Sequence, residues 1–177
     1  AGRPLSECSA GGVLMLLLTM IADDFAPLPT LGILKHPLTA GGMSPADFRN
    51  RVRDLERRVW RGYRPPAGLD GVLSRLVSGS DLHAFVQRHV ADPLADLCAV
   101  WNTALPTLAN LSSCLGRAAE RMASRRLLDD GSIDEADGAI SVWGGDDGQA
   151  AAELLRAVVT EGDVFAADNR ASPHTLK

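Results

Sequence analysis

With 177 residues, 46% of them apolar and 23% charged, the chain has the length and make-up of one globular domain with a real core. A formal net charge of -4 excludes a general polycation, so any nucleic-acid contact must come from a local patch. Cys8, Cys98 and Cys114 are widely spaced with no C-x-x-C pair, which argues against a disulfide framework and a zinc or iron–sulfur site and fits a reducing cytoplasm.

The sequence opens on Ala1-Gly2-Arg3-Pro4-Leu5 without an initiator Met and is expected to be an excerpt from a larger protein. Helical signals dominate and no credible alternating strand is present. The apolar run Val13 to Ile21 is far short of the roughly 20 residues a bilayer requires. Asp23-Asp24 follow it with no convincing cleavage site, so a buried helix over about Gly12 to Asp23 is expected rather than a signal peptide. Pro29 suits the first turn of a short helix reaching Lys35, which His36-Pro37 ends. Gly41-Gly42 form a loop.

Ser44-Pro45-Ala46-Asp47 is a strong helix start: a capping serine, a proline at the first helical position and an acid at the positive end of the dipole. Phe48, Val52, Leu55 and Val59 then make an apolar stripe, while Arg49, Arg53, Arg57 and Arg61 line the other side at four-residue steps. The helix is expected to end near Gly62, and Pro65-Pro66 prevent its return. A short helix follows over Gly68 to Val77. Ser80 or Asp81 caps the next, which contains Leu82, Phe85, Val86 and Val90. Asp92-Pro93 repeats the cap-then-proline start for a helix carrying Leu94, Leu97, Cys98 and Trp101.

Pro106 separates this from a longer helix over about Thr107 to Ser124, with Leu108, Leu111, Leu115, Ala118 and Met122 as its stripe. Leu127 to Gly138 is acidic and reads as a surface loop with room for one turn. Asp146 or Asp147 opens a last helix through Val159. The helical unit is thus expected over residues 1–160, with 161–177 a poorly ordered or severed end.

Chemistry is hard to find. There is no G-x-x-x-x-G-K-[ST] string, and lysine occurs only at Lys35 and Lys177. His36, His83, His89 and His174 are scattered without metal-ligand spacing. The carboxylates of Asp129-Asp130, Asp134-Glu135, Asp137 and Asp146-Asp147 fall in expected loops and caps, with no lysine nearby. No catalytic residue, metal site or cofactor is assigned to this segment.

One surface feature remains. Arginines 49, 51, 53, 57, 58, 61 and 64 stand against Asp47, Asp54 and Glu56. Arginine pairs bidentately with phosphate, and Trp60 on the same polar side offers a ring on which a base can stack. The candidate nucleic-acid contacts are therefore Arg49, Arg53, Arg57, Arg61 and Trp60. The bland alternative pairs Arg57 with Asp54 and Arg53 with Glu56, folds Trp60 onto Pro65-Pro66, and makes the face an interface within a parent protein.

Read in order, these residues resemble a known family. Ala1-Gly-Arg-Pro-Leu-Ser6, Phe25-Ala-Pro-Leu-Pro29, Leu34-Lys-His-Pro-Leu38 and Ala40-Gly-Gly-Met43 come first. Leu55-Glu56-Arg57, Arg61-Gly62, Arg64-Pro-Pro-Ala-Gly-Leu69 and Val142-Trp-Gly-Gly-Asp-Asp-Gly148 follow. Together they resemble an internal region of the alphaproteobacterial-type AddB subunit of the AddAB helicase–nuclease, over roughly residues 1 to 160.

The resemblance implies an all-α, irregular multi-helix module like the 2B-type insertion subdomain of a superfamily 1 helicase-like protein. It implies DNA double-strand break repair, with an ATP-dependent helicase–nuclease as parent. The partners implied are an AddA-like subunit and the remaining AddB domains, with DNA as a further candidate, no membrane, and a cytoplasmic setting. None of the family's catalytic motifs maps onto a position here. The expected role is scaffold and DNA-guiding surface in end resection. Two other classes stay open: a helical protein–protein interaction module without DNA contact, and a small-molecule-binding regulatory helical protein.

Overall fold

The computed structural model describes residue 4 and residues 7–170, with the side chains of 162–170 left aside. Among the described residues the architecture is all helical, and the one extended pairing is an isolated antiparallel bridge between Leu127 and Ile133. No helix among them is long and apolar enough to cross a membrane.

The apolar run forms α1 (Ser9–Ala22), which buries Val13, Leu14, Leu17, Met20 and Ile21. Cys8 caps it: its sulfur accepts the Gly11 N–H at 3.3 Å. The helix closes with Phe25 N–H bonded to the Met20 carbonyl at 2.8 Å, and Asp24 and Phe25 both take positive φ, 50° and 57°. That geometry turns the chain back into α2 (Pro27–Leu34), which packs on α1. Gly32 makes the approach close, since a Cβ there would stand 2.9 Å from a Leu16 methyl.

Gly41 and Gly42 are a buried joint. Ala40 and Gly41 N–H groups bond the Met122 carbonyl at 2.8 and 2.9 Å, and Gly42 N–H bonds that of Ser124 at 2.7 Å. Both glycines have positive φ, and a Cβ on Gly41 would meet the His89 carbonyl at 2.5 Å. Only glycine fits here.

Helix α3 (Pro45–Leu55) starts where expected. Ser44 Oγ accepts the Asp47 N–H at 3.2 Å and donates to the Asp47 carboxylate at 2.7 Å. Phe48, Val52, Leu55 and Val59 are all buried. A π turn, Glu56–Trp60, extends the helix, with Arg61 N–H reaching the Glu56 carbonyl at 3.2 Å. The short α4 (Gly68–Leu73) follows.

Here the structure departs from the sequence reading. Ser80 caps α5 (Asp81–Val86), which runs through a second π turn, Gln87–Ala91, directly into α6 (Asp92–Trp101). Asp92 is therefore no cap: Ala91 and Asp92 both have helical angles. Pro93 offers no N–H to the His89 carbonyl four residues back. That carbonyl packs against Gly41 instead, and the π turn accommodates the proline.

Helix α7 (Leu108–Ala123), capped by Thr107, is the hub against which α6, α8, α9 and α1 pack. Its buried face runs through Ser112, Leu115, Ala118, Ala119 and Met122, and Leu108 is exposed. Small residues dominate because four helices crowd this face.

The acidic stretch is loop only to Asp134. Asp134 then caps α8 (Glu135–Trp143), and Gly145 opens α9 (Gly145–Arg170). That last helix continues past Val159. Of the segment 161–177, residues 171–177 lie outside the described residues.

Candidate nucleic-acid interface

The arginine face follows from how α3 is buried. With Phe48, Val52, Leu55 and Val59 turned into the core, the remaining arc of the helix and its π turn must face water. Arg49, Arg53, Arg57 and Arg58 lie exposed along that arc, and Arg61 and Arg64 are exposed in the segment that follows the π turn. Arg53 is partly ordered by its own helix, donating to the Asn50 side chain at 2.9 Å and to the Arg49 carbonyl at 3.4 Å.

Arg57 pairs with Asp54, one turn back on the same helix. The expected partner of Arg53 is taken: Glu56 bonds Lys35 at the end of α2, 2.7 Å away. That hydrogen bond, opposed by a burial cost and aided by the weaker positive fields of Lys35 and Arg61, holds the Glu56 carboxyl below its ordinary range. Among the described residues Arg53 has no carboxylate partner.

Shallow clefts flank the helix. One, of about 570 Å³, is lined by Arg51, Arg57, Arg58 and Arg75 together with Asp54, Leu76 and Asp81. Another, of about 520 Å³, is lined by Lys35, Arg49, Arg53 and Arg61 with Leu34, Val52 and Glu56. The helix is thus a ridge with guanidinium groups on both flanks. On a chain of net charge -4 this is a local reversal of sign.

Trp60 does not stand on that ridge. Its ring packs against the apolar core, half-buried, and its buried indole N–H has no partner among the described residues. The aromatic that is presented is Tyr63, 91% exposed. Arg75 pins its loop by donating to the Tyr63 and Arg64 carbonyls at 3.3 and 3.2 Å. Sequence reasoning passed over Lys35, Arg75 and Tyr63. The first two reach the face only through tertiary packing, but Tyr63 had a signal: an aromatic between Gly62 and Arg64, beyond the last apolar position of the stripe.

Several other polar groups make local structural contacts. Asp130 accepts from the Ser132 N–H and hydroxyl at 2.8 and 2.6 Å, bonds that lower its pKa. Asp134 caps α8, and Asp137 accepts the Arg125 N–H at 2.7 Å. His89 Nδ1–H donates to the Gly41 carbonyl at 2.8 Å, and among the described residues no disulfide joins the cysteines. Among the described residues no group of three or more His, Cys, Asp or Glu is placed to hold a metal ion.

No family model, curated protein or solved structure matches this chain.

Proposed function

We propose that this chain is a non-catalytic helical module of an AddB-type subunit in a DNA double-strand break repair helicase–nuclease. In this reading it corresponds to the 2B-type insertion of the helicase-like half and works without a cofactor of its own. It docks on the remaining AddB domains and an AddA-like subunit, and the ridge of α3 guides DNA toward reactive sites elsewhere. Two things support the reading: the ordered motif resemblance and the ridge itself.

The single observation that carries it is the exposure of Arg49, Arg53 and Arg57 on α3 and its π turn, with Arg61 exposed just beyond, on a protein of net charge -4. Guanidinium groups in a row contact successive phosphates and position a duplex without reading its sequence. Replacing these four arginines with Glu is expected to abolish duplex binding at low salt while leaving the helical circular dichroism spectrum unchanged. Binding by the native chain is expected to fall steeply with salt, because each phosphate contact releases a counterion. Equal binding by the variant and the native chain at low salt removes the reading. A salt-insensitive partner contact on this face points instead to a protein-docking role.

A further inference from the structure

We propose that Tyr63 is a base-stacking residue that gives this face a preference for single-stranded over duplex nucleic acid; the inference rests on the phosphate-binding reading of α3. Tyr63 is the most exposed aromatic among the described residues, at 91%, so its ring contributes almost nothing to the core. Its loop is nevertheless held, because Arg75 donates to two successive carbonyls, those of Tyr63 and Arg64. A ring carried on a braced backbone and left open to solvent binds a planar partner with less ordering cost than one on a loose loop.

Its neighbours supply the other half of a single-strand site. Arg61 and Arg64 flank it in sequence and are exposed, and Arg75 also lines the cleft shared with Arg57 and Arg58. A cationic track beside an aromatic platform is how proteins hold single strands without sequence preference. A duplex keeps its base faces stacked and offers phosphates only. The arginines therefore serve both substrates, and the ring serves one.

The experiment measures anisotropy of a labelled oligothymidylate and of a labelled blunt duplex with the full chain and three variants. Tyr63→Ala is expected to weaken oligothymidylate binding by roughly tenfold, in line with the worth of one base–aromatic stack. Duplex binding is expected to be unchanged, and Tyr63→Phe to retain native affinity for both. Because the side chain is exposed, the melting temperature of Tyr63→Ala should match that of the native chain. Equal loss on both substrates, or loss on neither, overturns the stacking role. The variant with Arg49, Arg53, Arg57 and Arg61 replaced by Glu separates the two readings. If it loses binding while Tyr63→Ala does not, the phosphate surface stands and the stacking residue falls; if it too binds normally, both fall.

Discussion

The backbone oxygen of Glu120 lies 1.8 Å from where a β-carbon on Gly138 would sit. Helices α7 and α8 therefore cross in near backbone contact, with Trp143 Nε1 donating to Glu120 Oε1 at 2.7 Å beside the crossing. Gly138→Ala has no flexible neighbour to displace and must drive the helices apart. Overpacking of this kind costs about 1–3 kcal/mol and more against backbone. We expect about 3 kcal/mol, a fall in melting temperature of roughly 6–12 °C for a chain of this size. A melt within 2 °C of the native one contradicts the crossing.

Asp24 offers the opposite change. It occupies the left-handed position after α1, at φ 50°, where the loss of a β-carbon relieves strain. Its carbonyl accepts the Gly68 N–H at 2.9 Å, a backbone bond that any substitution keeps. Asp24→Gly is expected to stabilise the fold by about 0.5–1 kcal/mol, read as a small rise in melting temperature. Phe25, at φ 57°, does not tolerate the same exchange because its ring is buried. Phe25→Gly should destabilise.

The levels of the fold are unequally legible in the sequence. The stripe Phe48, Val52, Leu55 and Val59 is legible because a single helix carries its own period. Ser44 and Ser80 are legible as caps because the groups they satisfy lie three residues away. Helix α8 was hidden because its start lies in an acidic stretch whose cap, Asp134, looks like any loop aspartate. The unbroken helix through Pro93 was hidden because the Gly41 joint that packs on the His89 carbonyl comes from far along the chain. The arginine row was visible as a period, whereas the Lys35–Glu56 pair that strips Arg53 of its expected partner depends on two helices meeting. Local order was readable, and cross-chain pairing was not.

His36 and His89 set a pH dependence. Burial lowers the pKa of each below the ordinary 6.5; at His89 the bond to Gly41 opposes this more weakly. A depressed folded pKa means that the unfolded chain binds the proton more readily. The stability these groups supply is therefore complete above pH 6.5 and is lost as pH falls from 6.5 through the folded pKa. Glu56, also depressed, acts only below its own ordinary value of 4.5 and leaves that window clean. Melting temperature should fall between pH 7.5 and about pH 5.5. The double variant His36→Asn, His89→Asn should flatten that slope, since Asn mimics the Nδ1 position without titrating. An unchanged slope in the double variant rules out these histidines as its source.

Carboxylates on the ridge compete with phosphate for the same guanidinium groups, which makes Asp54 a sensitive probe of what the ridge binds. Asp54 pairs with Arg57 on an exposed part of the helix and lines the cleft that holds Arg51 and Arg58. Such a surface pair contributes roughly 0–1 kcal/mol to the fold, so Asp54→Asn should leave the melt nearly unchanged. It frees Arg57 and removes one negative charge from the path of the backbone. Duplex affinity at low salt should therefore rise by about two- to fivefold, with a steeper dependence on salt as a further cation engages. At high salt the gain should vanish, because screening reaches exposed charges within about 10 Å at 0.1 M. A protein partner docking through apolar contact predicts the reverse pattern, a variant indistinguishable from the native chain at every salt concentration. Titrating both proteins against one duplex across salt tells these apart in a single experiment.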